Sequence, residues 1–348
     1  MSSEANGKPS SSSRRNFMKA TGVLTAGLVA EGMAEKVAIA EPMLPFNPAT
    51  PQALPTRNLG RTGFRVGIFS LGGQATVEQP NKEAEAVAIV EKAIDLGINY
   101  IDTAPQYGGS GRWSQRYIGQ VMKRRRKEVY LASKTHDRTR DGSLKLLEES
   151  LRLLNTDHLD AWQLHHVSSM DEVDQIFAKG GAIEAMQQAR EQKLVRFLGV
   201  TGHTDPEVLM ECLRRFPFDQ ILMAVNAADP HHLSFEQKLL PMAVEKQMGI
   251  IGMKIPARGR LLSNWPAVGP YAPGKKQPGP LGIRDAFYYV LSLPVSTVVI
   301  GCDSVEQLAE NVRLAREFTP LSEQQRAALT AKAAPIVHEA LFFRRWSS

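Results

Sequence analysis

The sequence predicts an α/β fold, a (β/α)8 TIM barrel with a short N-terminal hairpin and a C-terminal helical extension. Two observations support this prediction. Eight apolar runs of strand length recur along the chain, and segments with the periodicity of amphipathic helices separate them. Strands that are apolar throughout are typical of parallel sheets covered by helices, and eight of them favour closure into a barrel over an open sheet.

The predicted strands are 68–71, 100–102, 129–133, 159–164, 195–200, 220–225, 249–253 and 295–300. The predicted helices include 83–96, 144–154, 183–192, 206–216 and 236–248. A turn-rich junction at residues 60–63 indicates a hairpin before the first barrel strand. The competing architecture, a doubly wound open sheet, needs a Gly-x-Gly-x-x-Gly fingerprint after its first strand, where this chain reads Leu71-Gly72-Gly73-Gln74-Ala75.

The first 40 residues have the features of a cleaved export signal. Arg14 and Arg15 are followed by Phe17 and Lys19, by a short, weakly apolar stretch and by small residues before Ala40. This resembles a twin-arginine (Tat) signal, which implies the Tat export machinery as a partner, cleavage after Ala40 and a periplasmic or otherwise exported location. A membrane anchor is the weaker alternative because a spanning helix needs about 20 apolar residues. A disordered cytosolic tail is the other alternative.

The remaining chain divides into a proline-rich linker at residues 41–55 and the predicted barrel at residues 56–348. A Pro/Gly-rich insertion at residues 266–280 precedes the seventh helix, where long loops commonly cover a site. Aromatic residues at 342–346 are expected to pack over the barrel, or alternatively against a neighbouring molecule.

Composition predicts a soluble globular domain, with 43% hydrophobic and 22% charged residues. Cys212 and Cys302 lie far apart without metal-binding spacing, so no metal site is expected. Residues 1–40 hold five Lys/Arg and three Asp/Glu, so their removal lowers the net charge from +6 to +4.

The basic run at 123–127 is expected to be solvated, with an anionic-surface patch as the alternative. It contains no aromatic residue for base stacking, and nucleic acid is not an expected partner.

Polar residues follow three predicted strands at the end where a parallel barrel gathers its functional groups. Asp102 ends the second strand and Tyr107 lies in the next loop, while Lys134 ends the third strand. His165 and His166 end the fourth strand, and His165 is the preferred site residue because strand alternation turns His166 the other way. A neighbouring ammonium lowers the pKa of a phenol from its usual value near 10, so the set indicates a tyrosine acid.

These residues resemble the aldo/keto reductase family over residues 57–318. The matching motifs are Ile101-Asp102-Thr103-Ala104-Pro105-Gln106-Tyr107-Gly108, Ala132-Ser133-Lys134-Thr135 and Gln163-Leu164-His165. The resemblance implies hydride transfer between NAD(P)H and a small-molecule aldehyde, ketone or sugar, without a metal. It also implies that Tyr107 is the general acid/base, that Asp102 and Lys134 tune it and that His165 orients the carbonyl.

The resemblance further implies a set of cofactor-binding residues, which are Gly73, Thr201, Gly202, Met253, Lys254, Gly301, Ser304, Gln307, Glu310 and Asn311. The family commonly has Ser-Asn after the fifth strand to hold the nicotinamide amide, whereas this chain has Thr201-Gly202-His203. An apolar residue near Leu222 replaces the usual glutamine, and Met253 replaces a stacking aromatic.

The cofactor's adenosine end is where NADP and NAD are distinguished. Gly301 and Gln307 occupy positions where family members that hold a 2′-phosphate often have Lys and Arg, and Asp303 lies nearby. Arg313 or Ser304 is expected to compensate for the missing cations, and NADP is expected slightly ahead of NAD.

Two further functions stay open at this stage. Loss of the amide contacts at Gly202 and Leu222 is compatible with a non-catalytic barrel that binds a ligand or partner. A barrel hydrolase with Asp102 and Asp229 as paired acids is the other alternative, but it gives Tyr107 and Lys134 no role. Export also leads us to expect that the protein folds around its cofactor before transport and retains it.

Overall fold

The computed structural model describes residues 43–264 and 278–346. The predicted signal at residues 1–40, and residues 265–277 with most of the Pro/Gly-rich insertion, lie outside the described residues. The described residues belong to one compact unit. Within them, no helix has both the length and the apolar character that crossing a membrane requires.

Eight parallel strands form a closed barrel behind a two-stranded antiparallel hairpin. The hairpin strands are β1 (Thr56–Asn58) and β2 (Arg65–Gly67), and the barrel strands are β3 (Phe69–Gly72), β4 (Tyr100–Asp102), β5 (Tyr130–Thr135), β6 (Leu159–Leu164), β7 (Val195–Gly202), β8 (Gln220–Ala224), β9 (Gly249–Met253) and β10 (Thr297–Ile300). Each barrel strand pairs with the next along the chain, and β10 pairs with β3 to close the ring. The predicted barrel and hairpin are confirmed.

Helices connect and surround the strands. In the described residues they are α1 (Thr50–Ala53), α2 (Glu83–Asp95), α3 (Trp113–Arg125), α4 (Arg140–Leu153), α5 (Met170–Phe177), α6 (Ala182–Glu191), α7 (Pro206–Arg215), α8 (Leu239–Glu245), α9 (Ile283–Leu291), α10 (Val305–Arg316), α11 (Glu323–Ala333) and α12 (Val337–Ala340). Helix α8 is shorter than the predicted 236–248, because the Asp229 carboxylate accepts the backbone N–H groups of Phe235 and Glu236 and holds this segment as a loop.

Aromatic side chains fill the amino end of the barrel. Tyr100 and Tyr130 begin β4 and β5, and their rings stack with centroids 5.2 Å apart. Phe64 from the hairpin packs on Tyr130 at 4.8 Å and, with Leu59, joins the same buried cluster. The hairpin therefore covers this end of the barrel.

The C-terminal segment packs over the carboxyl ends of β7 and β8. The fully buried Arg344 guanidinium donates to the carbonyl oxygens of His203 and Ala224, and it forms an ion pair with the buried Asp229. Trp346 stacks on His232 with ring centroids 3.8 Å apart. Packing over the barrel, the first alternative for this segment, is what the structure has.

Ion pairs surround the basic run at residues 123–127. Arg124 and Arg125 both pair with Glu91. The Arg126 guanidinium lies 2.8 Å from the buried carboxylate of Asp160. Acidic side chains of the same surface thus neutralise much of this run.

Candidate active site

A buried lysine joins the side chains that end β4 and β5. In the parallel register of these strands Asp102 lies opposite Ala132, which places Lys134 one pleat further along on the same side. The Lys134 amine donates to Asp102 Oδ2 at 2.5 Å, to the Thr103 carbonyl at 2.8 Å and to Tyr107 Oη at 3.3 Å. The structure thus brings the predicted acid, lysine and carboxylate together.

A tight turn after β4 directs Tyr107 back toward Lys134. The Tyr107 N–H donates to the Ala104 carbonyl at 3.1 Å, and Gly108 follows with φ of 86°. A Cβ at Gly108 would lie 2.6 Å from the Trp113 backbone nitrogen, so this turn needs glycine in both conformation and space.

His165 completes the group from the end of β6. Its ring lies 5.8 Å from the Tyr107 ring, centroid to centroid and nearly perpendicular. Arg138 donates to the His165 carbonyl at 2.8 Å and fixes its backbone. Burial, followed by the Lys134 charge, holds the pKa of His165 well below its usual value, so the imidazole is neutral at neutral pH. The adjacent His166 has a left-handed backbone and packs instead against His203, at 4.9 Å.

Burial dominates the protonation of the catalytic candidates. It raises the pKa of Asp102, although the Lys134 charge and hydrogen bond oppose the shift, and it lowers the pKa of Lys134. Burial and the Asp102 charge also raise the pKa of Tyr107 well above its ordinary value. The lowering expected from sequence is not found, because burial, the larger cause, and the Asp102 charge both raise the pKa of Tyr107.

A cavity of about 320 Å³ extends from this group toward α10. Asp102 and Tyr107 line it, together with residues after β3, β9 and β10. Seven of the ten predicted cofactor-binding residues line this cavity, namely Gly73, Met253, Lys254, Gly301, Gln307, Glu310 and Asn311.

The other three predicted cofactor residues do not line the cavity. The Thr201 hydroxyl accepts the His166 N–H at 2.9 Å, and a Cβ at Gly202 would lie 2.9 Å from the Val167 carbonyl. Ser304 caps α10 by accepting the Gln307 N–H at 3.3 Å. Leu222 does line the cavity, so an apolar side chain stands where the sequence comparison expected a glutamine.

Besides the predicted site residues, six polar or charged residues line the cavity, namely Gln74, Glu78, Arg258, Ser263, Asn264 and Asp303. Gln74 lies one position after the assigned Gly73, and Asp303 lies two positions after Gly301, so proximity to a strand end is the signal for both. Glu78 lies in a short 3₁₀ turn, Ala75–Glu78, and Arg258 in another, Ala257–Gly259. No strand ends next to either one.

The cavity wall carries two cations suited to an anionic dinucleotide, alongside the carboxylates of Glu78, Asp102, Asp303 and Glu310. Lys254 and Arg258 supply positive charge on its wall. Gly73 leaves no room for a side chain: a Cβ there would lie 2.6 Å from the Asp102 carbonyl oxygen. Backbone therefore forms this part of the wall beside the Asp102 group, as close approach to a large cofactor requires. Among the described residues, no group of three or more His, Cys, Asp or Glu side chains is placed to hold a metal ion.

The hydrolase alternative does not fit this geometry. Asp229 is buried in an ion pair with Arg344 and accepts hydrogen bonds from Ser234 and from backbone N–H groups. It does not line the cavity with Asp102. The two carboxylates therefore cannot flank one substrate bond.

The family model and the relatives that match this chain are those of oxidoreductases. The model of the aldo/keto reductase family matches residues 65–277. An uncharacterized oxidoreductase of Bacillus subtilis is 26% identical over 319 residues, which cover 82% of this chain and 98% of that protein. L-Galactose dehydrogenase of Arabidopsis thaliana is 28% identical over 296 residues, which cover 77% and 90%.

Solved structures share the architecture. The apo form of an aldo-keto reductase from Bacillus halodurans is 26% identical, with a TM-score of 0.62 over 80% of this chain and 96% of the other. A thermostable aldo-keto reductase in complex with the inhibitor epalrestat is also 26% identical, with a TM-score of 0.64 over 80% of this chain and 100% of the other.

Proposed function

Because the chain belongs to the aldo/keto reductase family and is an NAD(P)-dependent oxidoreductase acting on carbonyls, we propose that Tyr107, Lys134, Asp102 and His165 are its catalytic residues. The observation that supports this most directly is the Lys134 amine, which bridges Tyr107 Oη and the Asp102 carboxylate in a buried site. The bound nicotinamide supplies or accepts the hydride.

Tyr107 donates the proton in the direction of reduction. Its raised pKa keeps the phenol protonated at neutral pH, and the carbonyl oxygen gains negative charge as hydride arrives at the carbonyl carbon. The proton passes from Tyr107 Oη to that oxygen. Lys134, 3.3 Å from Oη, stabilises the phenolate that remains, and Asp102 keeps the lysine charged and in place.

His165 orients the carbonyl. A neutral imidazole offers one N–H donor to the substrate oxygen without competing with Tyr107 for the proton. The perpendicular packing of the two rings directs both side chains to the same region of the site.

We propose that the seven cavity-lining predicted residues bind the cofactor and that NADH binds more tightly than NADPH. This departs from the slight preference for NADP expected from sequence. Asp303 brings a carboxylate to the α10 end of the cavity, where a 2′-phosphate would be repelled. Neither expected compensation supports NADP, because Ser304 caps a helix and Arg313 is paired with Glu310 and Glu317.

The substrate class we propose is a small carbonyl compound of the sugar or short aldehyde type. Curated relatives that support this include L-galactose dehydrogenase and the methylglyoxal reductase of Escherichia coli, the latter 28% identical over 193 residues. The apolar Leu222 and Met253 on the cavity wall give the reacting centre a partly water-excluding boundary.

We also propose that residues 1–40 direct export through the Tat pathway. The support is the order Arg14-Arg15-Asn16-Phe17-Met18-Lys19 before a short apolar stretch. Replacing both arginines by lysine keeps the charge and is expected to abolish appearance of the folded protein in the periplasm of a Tat-competent host. Export of the Lys-Lys variant at the original level would contradict the proposal.

Titration of the full chain with NADH and NADPH, followed by a carbonyl-reduction assay on sugars and short aldehydes, tests the enzymatic proposal. We expect both cofactors to quench intrinsic fluorescence on binding, NADH at lower concentration, and one substrate class to oxidise the cofactor. Absence of binding by either cofactor would instead favour the non-catalytic barrel. Tighter NADPH binding would overturn the cofactor preference alone.

A further inference from the structure

Gln163 is a buried polar residue inside the barrel that the proposed mechanism does not use. It lies on β6, is fully buried, and pairs with Lys134 of β5 in the parallel register. Side chains at paired positions point to the same side of a sheet, so Gln163 faces the barrel interior beside Lys134. Glutamine is an unusual residue for such a position, because a buried amide needs hydrogen-bond partners that an apolar side chain does not.

The Gln163 amide reaches the carboxylate that ends β4. Its Nε2 donates to Asp102 Oδ1 at 3.3 Å, while the Lys134 amine donates to Asp102 Oδ2 at 2.5 Å. In the barrel β5 lies between β4 and β6, so the Gln163–Asp102 contact crosses β5 on its inner side. Each oxygen of the Asp102 carboxylate therefore accepts a hydrogen bond from a different strand.

A glycine on the next strand leaves room for Gln163. Gly199 pairs with Gln163 in the register of β6 and β7, and a Cβ at Gly199 would lie 2.9 Å from Gln163 Cγ. The same Cβ would also lie 2.9 Å from Gln220 Cγ of β8. A larger residue at this position would press against both side chains, so the barrel holds the Gln163 amide in place by packing.

The Gln163 amide is oriented by Asp102 rather than by its other neighbours. Its Oε1 atom is buried and accepts no hydrogen bond from the described residues. A buried acceptor without a partner lowers stability. Reversing the amide would place Oε1 against a carboxylate oxygen, and neither atom can donate. The observed orientation is therefore the one that an ionised Asp102 requires.

Several titratable groups face Asp102. Burial raises the pKa of its carboxyl, and the charges of Lys134 on β5 and Lys254 after β9 oppose this shift. Tyr100, earlier on β4, and Tyr107, in the following loop, face Asp102 as phenols, whose pKa values burial and then the Asp102 charge raise. Hydrogen bonds and cations that offset burial therefore keep Asp102 ionised.

The Gln163 hydrogen bond acts in the same direction as the two lysines, because an N–H donor favours the carboxylate and lowers the pKa of Asp102. We propose that Gln163 is a positioning residue that acts through Asp102: its amide holds the carboxylate that keeps the Lys134 ammonium beside Tyr107 Oη. The inference rests on the proposed function, because it requires Lys134 and Tyr107 to act together in catalysis. Gln163 itself does not line the cavity.

Gln163→Met tests this inference, because it keeps the length and bulk of the side chain but removes the donor. Without the donor the pKa of Asp102 rises, so the carboxyl becomes protonated at a higher pH and no longer holds the lysine charge. We expect kcat for carbonyl reduction to fall at least about tenfold at pH 6 but less than about threefold at pH 8. The Kd for NADH should stay within about twofold of wild type. Steady-state NADH oxidation and fluorescence titration measure the two quantities.

Gln115→Met is the matched control. Gln115 is also a fully buried glutamine, but its amide donates to Ser133 Oγ at 3.0 Å and to Ser150 Oγ at 2.9 Å. Its replacement removes the same chemical group without touching Asp102. We expect this variant to lose stability in thermal melts while the pH dependence of kcat stays that of wild type. The same pH dependence in both variants would overturn the positioning role.

Gln163→Glu is the second variant, and it decides the question if circular dichroism shows that Gln163→Met fails to fold. Burial favours the protonated form of the introduced carboxyl, which still donates to Asp102, whereas its ionised form repels Asp102. Activity should therefore be nearer to wild type at pH 6 than at pH 8. An equal loss at both pH values, in either Gln163 variant, would overturn the positioning role. Wild type that binds NADH and NADPH but reduces no carbonyl, or binds neither, would overturn the proposed function instead.

Discussion

Tyr107 is the residue on which the chemical proposal depends most directly. Replacing it by Phe removes the proton donor but leaves the ring that packs 4.8 Å from the Lys134 amine. We expect kcat for carbonyl reduction to fall by about 10²- to 10⁴-fold, with the Kd for NADH changed less than about twofold. Steady-state NADH oxidation and fluorescence titration measure the two quantities.

Tyr117→Phe is the control for this substitution. Its hydroxyl donates only to the Gln79 carbonyl, at 3.2 Å, and it does not line the cavity. This variant should keep wild-type kcat. A Tyr107→Phe enzyme with activity within threefold of wild type would show that another group donates the proton.

Arg344 is the residue that anchors the C-terminal segment. Arg344→Met would leave Asp229 buried without its cation, and we expect the free energy of unfolding to drop by about 3–5 kcal/mol. Urea denaturation followed by circular dichroism measures the change. The control is the neighbouring Arg345→Met. The Arg345 side chain pairs with Asp205 but is 62% exposed, so its loss should lower the free energy of unfolding by less than about 1 kcal/mol. Equal losses in both variants would contradict the distinction.

At the scale of elements, the contact between the ends of β3 and β4 shapes the cavity. The Gly73 N–H donates to the Asp102 carbonyl at 2.7 Å, and a Cβ at Gly73 would lie 2.5 Å from Ser114 Oγ. Gly73→Ala should therefore push the β3 loop away from β4. We expect a loss of about 1–3 kcal/mol in stability and at least tenfold weaker NADH binding.

Gly282→Ala is the matched control for Gly73→Ala. Gly282 also lines the cavity, but a Cβ there meets no atom of the described residues within 4 Å, and its φ of −78° is accessible to alanine. Thermal melts and NADH titrations should leave this variant close to wild type. If Gly73→Ala behaves in the same way, the close approach of β3 and β4 does not shape the cofactor site.

The elements were predictable because their signals are local. Apolar runs and helical periodicity lie within single segments, and every predicted barrel strand overlaps an observed one. Helix α8 was predicted too long because Asp229, remote from the helix itself, competes for the backbone N–H groups before it. Periodicity contains no information about such a side-chain competitor.

The site was predictable to the extent that strand ends locate it. Asp102, Tyr107, Lys134 and His165 come together because parallel strands present their carboxyl ends on one side. Thr201 does not line the cavity although it lies at the same end of β7, because its hydroxyl instead accepts the His166 N–H, a contact that no local sequence pattern indicates. The Arg344–Asp229 pair joins residues 115 positions apart, and no sequence spacing indicates it.

For the whole molecule, the lowered pKa values of Lys254 and Lys134 predict how stability responds to pH. The pKa of Lys254 is about 7 in the folded protein and close to 10.4 in an unfolded chain. Between these values the unfolded state binds more protons, so the free energy of unfolding rises with pH, by at most about 1.4 kcal/mol per unit from this residue. The lowered pKa of Lys134 acts in the same direction.

Between about pH 7 and 8, Lys254 gives the slope its positive sign. The depressed pKa values of His165 and His203 act mainly below this range. The cysteine thiols titrate near 8.5 in an unfolded chain, and burial raises their pKa to about 12 in the folded protein, so they lower the slope toward the upper end of the window. Urea unfolding across the window should therefore give a positive slope for wild type and a smaller one for Lys254→Met. An unchanged slope in that variant would mean that Lys254 stays charged in the folded protein across this window.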